Sequence, residues 1–239
     1  MKKLKKLSFA LSILSILTFF TPANAELKVV TSIKPIHSLA SYLMDGIGKP
    51  ELIVDGYASP HGFSMKPSHA KMLQNADLIF WVGEDLENFL EKPLKSIAKK
   101  AEKIELIEIK GLNVLKFRER NIFDEHDHDH DDHGKKEDDH DDHDHDDHGK
   151  KEEHDDHDGH EGHAHGEFDP HIWLDTMNAK TMLNEMAEHL IENDPKNEAK
   201  YKSNLDKALK DIDKLTIEVM TELNNSVSSI VFHDAYQYF

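Results

Sequence analysis

The chain has 239 residues and a formal net charge of −18, yet 21 acidic residues and only 4 lysines fall within residues 124–167. The rest of the chain is nearly neutral and has no basic stripe to neutralise phosphates, so a nucleic-acid-binding protein is excluded. Cysteine is absent, which excludes disulfides, thiolate metal sites, cysteine nucleophiles and a lipid anchor on cysteine for this sequence.

The first 25 residues have the pattern of a signal peptide. Four lysines precede an apolar run over residues 8–20, and Ala23-Asn24-Ala25 is a small-x-small cleavage site. The apolar run is shorter than the roughly 20 residues that a membrane-spanning helix needs. We therefore expect cleavage before Glu26 and an exported, periplasmic protein with no lipid anchor.

Residues 26–123 alternate between short apolar runs and segments with helical periodicity. Near-continuous apolar strands alternating with helices predict a parallel α/β lobe. The predicted strands cover residues 27–33, 51–54, 78–82 and 104–109, and the predicted helices cover 36–43, 67–76 and 86–98.

Residues 124–167 interrupt this pattern with an acidic, histidine-rich insert. The insert contains 13 of the 19 histidines, and its only apolar residue is Ala164. Such a composition cannot bury enough surface to fold, so the insert is predicted to be a disordered metal-binding loop. Our hypothesis is that it captures or buffers metal. The alternative is a solubilising acidic tract or a non-specific metal sponge.

Helical periodicity returns after the insert. Residues 168–195 are predicted to continue the first lobe, with a helix over 179–191 that ends at Asp194-Pro195. Residues 196–224 keep a regular apolar stripe and predict one long linker helix of roughly 35–40 Å. A strand over 229–232 would then begin a second lobe within residues 225–239, and we expect most of that lobe to be missing from this sequence.

Six histidines lie outside the insert, in two kinds of setting. Three of them fall on predicted helices beside apolar faces, where a half-buried structural histidine is the favoured interpretation: His37, His69 and His189. Two others follow predicted strands and a third follows the insert: His61, His233 and His171. Because ligands of open α/β sheets bind beyond the carboxyl ends of the strands, these three imidazoles are candidate ligands of Zn²⁺.

The segments around these histidines resemble the zinc-binding component of bacterial high-affinity zinc-uptake ABC transporters. This group belongs to the metal-specific extracytoplasmic solute-binding proteins. The resemblance rests on four segments: SIKPIHSLA (32–40), DGYASPHGFSMKPSHAKMLQNADLIFWVG (55–83), DPHIWLD (169–175) and VFHDAYQYF (231–239).

The resemblance implies two α/β lobes joined by one long helix, with Zn²⁺ in the cleft between them. It implies His61, His171 and His233 as the metal ligands, a membrane permease as the partner, and a monomer. Manganese-binding relatives typically have Glu at the position of His233, and imidazole there favours zinc over the harder Mn²⁺. The histidine-rich insert before the second ligand is also a feature of zinc members.

Other functions are compatible with the same residues. One is a manganese or iron solute-binding protein of the same family, and another is a free-standing periplasmic zinc chaperone or store. Three histidines with an open position could also form a catalytic zinc site. Because the sequence has no HExxH or GxSxG motif and no general base beside these histidines, we do not expect an enzyme.

Overall fold

The computed structural model describes residues 26–117, 167–223, 231 and 235–238. Outside these described residues lie the predicted signal peptide, almost all of the insert, His233 and the strand predicted over 229–232 except for Val231. Within them, no helix is long and apolar enough to cross a membrane.

Four parallel strands form the sheet, in the order β2-β1-β3-β4. The central strands are buried on both faces, as their uninterrupted apolar sequences VVT and LIFW require in a parallel sheet. Val30 lies beside Ile79, and Ile79 lies beside Lys103. The strands are β1 (Val29–Thr31), β2 (Glu51–Leu52), β3 (Leu78–Trp81) and β4 (Glu102–Glu105).

Five α-helices surround this sheet. They are α1 (Lys34–Leu43), α2 (Pro67–Asn75), α3 (Glu84–Ser96), α4 (Thr176–Asn193) and α5 (Glu198–Leu223). Short 3₁₀ turns occupy Pro60–Gly62, Leu106–Glu108, Ile172–Leu174 and Pro195–Asn197. The predicted parallel α/β fold is confirmed, and both helices predicted after the insert are present.

Helices α1, α4 and α5 pack together over the sheet. Helix α4 begins where the Asp175 carboxylate accepts a hydrogen bond from the Met177 amide at 2.7 Å, and it buries a stripe that includes Met182 and Met186. Helix α5 is fixed to α1 by Asn204, whose Nδ2 donates to the carbonyls of Leu43 and Asp45 at 2.8 and 2.9 Å.

Several predicted boundaries were wrong. The strand predicted over 104–109 lies at Glu102–Glu105, because from Leu106 the chain turns into a 3₁₀ helix whose buried Leu106 imitates strand alternation. Strand β1 is shorter than predicted, spanning only Val29–Thr31. Helix α3 begins two residues early at Glu84 and has non-helical backbone angles at Glu87.

Candidate metal centre

His61 lies on the 3₁₀ turn Pro60–Gly62, after β2 on the carboxyl side of the sheet. The side chain of Ser59 starts this turn by accepting a hydrogen bond from the His61 amide at 3.3 Å. Pro60 fixes the first φ angle of the turn. His61 is exposed to solvent, so it presents its imidazole at the surface of the lobe.

His171 is buried, and Asp169 holds its ring in place. The Asp169 carboxylate lies 2.6 Å from Nδ1 of His171 and also accepts a hydrogen bond from the His171 backbone amide at 3.0 Å. Both residues are at most 5% exposed. A carboxylate on one ring nitrogen fixes the tautomer and makes the other nitrogen, Nε2, a better metal ligand.

Asp169 is a candidate functional residue that was not identified from the sequence. It belongs to the DPHIWLD segment, but no role was assigned to it there. The signal was available in the spacing, because an acidic residue two positions before a histidine can bond both its amide and its ring.

The structure brings His61 and His171 together. Their ring centroids are 5.7 Å apart with an angle of 49° between the ring planes. Two imidazoles that bind one tetrahedral zinc ion at 2.0–2.1 Å have their ring centres about 5 Å apart. The pair therefore suits a shared ion after a small adjustment. His233, the third predicted ligand, is outside the described residues.

The ring of His171 has a neighbouring aromatic contact, and the backbone that follows it is fixed by a residue of α4. Trp173 packs edge-on against the His171 ring with a centroid distance of 5.3 Å. The buried Asn178 on α4 donates to the Ile172 carbonyl at 3.2 Å and exchanges two hydrogen bonds with the backbone of Asn113. Helix α4 thus positions the turn that carries the histidine.

The described residues that border segment 118–166, which holds almost all of the insert, meet beside this centre. Lys116 and Phe168 form an antiparallel bridge, and the Phe117 amide donates to the Glu167 carbonyl at 3.2 Å. The Tyr238 hydroxyl accepts from the Leu115 amide at 2.9 Å and donates to the Asp169 carbonyl at 2.7 Å. Phe117 and Glu167, which border the segment that contains the insert, therefore lie close to Asp169 and His171.

Two of the remaining histidines have structural roles. His69 is buried; its Nδ1 accepts from the Lys66 amide at 3.1 Å, and its ring stacks on Phe63. Burial lowers the pKa of His69, and the nearby Lys66 lowers it further. His37 is half-buried, with Nε2 3.1 Å from the Pro50 carbonyl oxygen. These contacts are consistent with the structural interpretation of both histidines.

A buried carboxyl group lies under the carboxyl edge of β3. One oxygen of Glu87 accepts hydrogen bonds from the amides of Val82 and Gly83, each at 2.9 Å. Burial raises the pKa of Glu87 to about 7, and the opposing effects of the nearby Ser32 side chain and of the two amides are smaller.

This fold, with histidines paired beyond the carboxyl edge of a parallel sheet, is that of the metal-binding solute-binding proteins. The Zn(II)-bound ZnuA-like domain of AdcA from Streptococcus pneumoniae superposes with a TM-score of 0.61 at 17% identity, over 89% of this chain and 62% of that one. A Mn-bound periplasmic metal-binding protein from Candidatus Liberibacter asiaticus gives 0.58 at 19% identity, over 83% and 57%.

The chain belongs to the ZnuA family, described as zinc-uptake complex component A, periplasmic, which matches residues 29–239. The high-affinity zinc uptake system protein ZnuA of Brucella abortus is 44% identical over the whole of this chain and 71% of its own length. The corresponding protein of Yersinia pestis is 32% identical over 94% of this chain and 66% of its own length.

These matches confirm the family predicted from the sequence motifs. They also confirm zinc as the ion of that family. The family is a solute-binding component of a transport system and not a family of enzymes. The chain spans about 71% of the Brucella relative and 62% of the Streptococcus domain.

Proposed function

We propose that this chain captures Zn²⁺ from the periplasm through His61, His171 and His233 and delivers it to the membrane permease of an ABC transporter. The observation that carries the proposal is the 5.7 Å approach of the His61 and His171 rings, with Asp169 orienting the second. Residues from segments 110 positions apart thus meet within about 1 Å of the separation expected for two imidazoles on one zinc ion. His233 is proposed from its sequence setting alone.

The ligand chemistry supports zinc rather than manganese. Imidazole nitrogen suits the borderline-soft Zn²⁺, whereas Mn²⁺ prefers carboxylate, carbonyl and water oxygens. In this proposal Asp169 acts through the His171 ring, so it adds negative charge near the ion without replacing a nitrogen ligand. We therefore expect the site to bind Zn²⁺ in preference to Mn²⁺.

The test is a zinc titration of the full chain against a competing chelator that holds free zinc below the range in which the insert binds. His61→Ala should abolish the tight 1:1 site. His37→Ala, which changes a half-buried histidine outside the centre, is the matched control and should leave it intact. An unchanged tight site in H61A would contradict the proposal and favour a zinc store built on the insert.

For the insert, we propose that it captures zinc for the main centre. The described residues that border segment 118–166 are Phe117 and Glu167; they adjoin the Lys116–Phe168 bridge, and Lys116 and Glu167 form an ion pair at the same place. Tethering in this position would keep zinc at an effective concentration around millimolar beside the centre. Many partial His/Asp sites should bind zinc more weakly than a preformed centre and exchange it faster.

Deleting residues 124–167 tests the capture role, with uptake measured in cells at scarce zinc. A matched variant replaces the 13 histidines by glutamine and keeps the length and every carboxylate of the insert. Reduced uptake in both variants supports capture through imidazole. Normal uptake in both would leave the insert as a solubilising tract.

We also propose export through a cleaved signal peptide, giving a periplasmic protein without a lipid anchor. The support is the run of lysines, the short apolar segment and the Ala23-Asn24-Ala25 site. Sequencing the exported protein from its N-terminus should give Glu26 first. A retained Met1 would be incompatible with cleavage.

A further inference from the structure

A second group of possible metal ligands lies where β4 meets the end of α4. Glu102 is the first residue of β4, and His189 and Glu192 are one turn apart on α4. Each can supply one ligand atom such that all three atoms lie within 4.8 Å of one another. His189 was interpreted from the sequence as a structural histidine on a helix, and its surroundings differ from those of His37 and His69.

The Nδ1 atom of His189 is buried and has no hydrogen-bond partner among the described residues. An oxygen of Glu102 is 2.9 Å from Nδ1, but it is not aligned with the N–H direction of the ring and so does not accept a hydrogen bond. An oxygen of Glu192 lies on the same side, 3.9 Å from Nδ1. A buried ring nitrogen thus lacks a partner while two carboxylates flank it.

The groups around His189 are already arranged to support a metal ligand. On the other ring nitrogen, Nε2 lies 3.4 Å from an oxygen of Glu185, one turn earlier on α4. The second oxygen of Glu102 is fixed by the Asn193 side-chain amide, which donates to it at 2.7 Å. In most metal-binding histidines the second ring nitrogen donates to a carboxylate, a backbone carbonyl or water, and Glu185 is the carboxylate nearest to that nitrogen here.

The charged side chains around His189 also favour a bound cation. Within the described parts of the chain, no lysine or arginine lies within ion-pair distance of Glu102, Glu185 or Glu192. Three carboxylates therefore share a single imidazole. A divalent ion would relieve their mutual repulsion, which neutral side chains cannot do.

We propose that Nδ1 of His189 and one carboxylate oxygen each from Glu102 and Glu192 form a second divalent-cation site that binds Zn²⁺. Ligands at 2.0–2.2 Å around a tetrahedral ion are separated from one another by about 3.4 Å. The observed separations of 2.9 and 3.9 Å from Nδ1 bracket that value. Water would complete the coordination.

This site is separate from the candidate metal centre. Helix α4 starts five residues after His171, and about 13 helical steps of 1.5 Å lead from Thr176 to His189, roughly 20 Å in all. Glu102 stands at the amino end of β4, whereas the centre lies beyond the carboxyl ends of the strands. The inference therefore does not depend on the proposed zinc-uptake function.

The test must distinguish His189 from the histidines of the insert. We would label the full chain with ¹⁵N-histidine and record long-range ¹H–¹⁵N spectra while a chelator buffer sets the free zinc concentration. The His189→Gln variant identifies the His189 signals by their loss. Glu192→Gln removes a proposed ligand, and Glu188→Gln is the matched control, because it neutralises an exposed carboxylate on the same helix outside the cluster.

Zinc should move Nδ1 of His189 to a metal-bound chemical shift in the wild-type chain. In E192Q, the midpoint of this change should rise at least tenfold in free zinc, and in E188Q it should stay within twofold of wild type. The proposal is overturned if the His189 signals are unaffected when zinc is in molar excess over all histidines of the chain. A metal-bound shift at Nε2 instead of Nδ1, or equal effects of E188Q and E192Q, would overturn it as well.

Discussion

Replacing Asp169 by asparagine tests how far the proposed centre depends on a residue that would not touch the ion. The Asp169 carboxylate lies 2.6 Å from Nδ1 of His171 and accepts the His171 amide at 3.0 Å. Asparagine has nearly the same shape and keeps one acceptor oxygen. D169N therefore removes the negative charge while the His171 ring can keep its orientation.

The expected loss of zinc affinity follows from this contact. Carboxylates that orient a metal-binding histidine contribute about 10–100-fold to metal affinity. That range is about 1.4–2.7 kcal/mol, at 1.36 kcal/mol per factor of ten. Since D169N retains an acceptor, we expect a loss of about tenfold. Asp169→Ala removes charge and acceptor together and should approach a hundredfold.

The assay is competition with a chelator at free zinc low enough that the insert stays empty. Asp206→Asn is the matched control, because Asp206 is exposed on α5 and its substitution makes the same change in charge. Equal zinc affinities for D169N and D206N would refute the view that Asp169 acts on His171. A loss in D169N accompanied by unfolding would appear in circular dichroism of the metal-free protein.

Three further predictions concern pH and packing. Glu87 has a pKa of about 7 in the fold, above its ordinary 4.5, so the folded state keeps a proton that the unfolded state releases between these values. Folding stability should therefore fall as pH rises from 5 to 8, by up to about 3 kcal/mol, and Glu87→Gln should remove this slope in denaturant titrations. If the unfolding free energies of E87Q and wild type changed equally with pH, the role of Glu87 in this dependence would be contradicted. Zinc binding by the insert should fade below pH about 6.5 as its imidazoles gain protons, and undiminished binding at pH 5 in calorimetry would argue against imidazole ligands. Asn204→Ala should cost about 1–3 kcal/mol of unfolding free energy by leaving the Leu43 and Asp45 carbonyls without their side-chain donor, whereas the exposed Ser203→Ala should have almost no effect.

The sheet and the order of strands and helices along the chain were predictable because each segment has the apolar pattern of the element that it forms. The LIFW strand is apolar at every position, and the apolar stripes of α1 and α4 have helical spacing. Boundaries were less predictable because they depend on distant contacts. Strand β4 follows the register of β3, and the Ile107 amide bonds the Val82 carbonyl beyond the strand, which no local pattern reveals.

The centre was predictable only in part. His61 and His171 were singled out by their positions and by the family motifs, and the structure places them together. Asp169 and the His189 cluster were not found. Asp169 had a local signal in its spacing two positions before His171. The His189 cluster had none, because the contact of His189 with Glu102 joins residues 87 positions apart.

The two adjacent imidazoles differ in how firmly folding fixes them. His171 is wedged between Asp169 and Trp173, whereas His61 stands in solvent on one short turn. We expect an arriving ion to exchange its first water for the accessible ring and to reach the sheltered one last, with departure in the reverse order. The rates at which zinc associates and dissociates would then depend on residues 59–62, while the affinity for zinc depends on the environment of the buried ring.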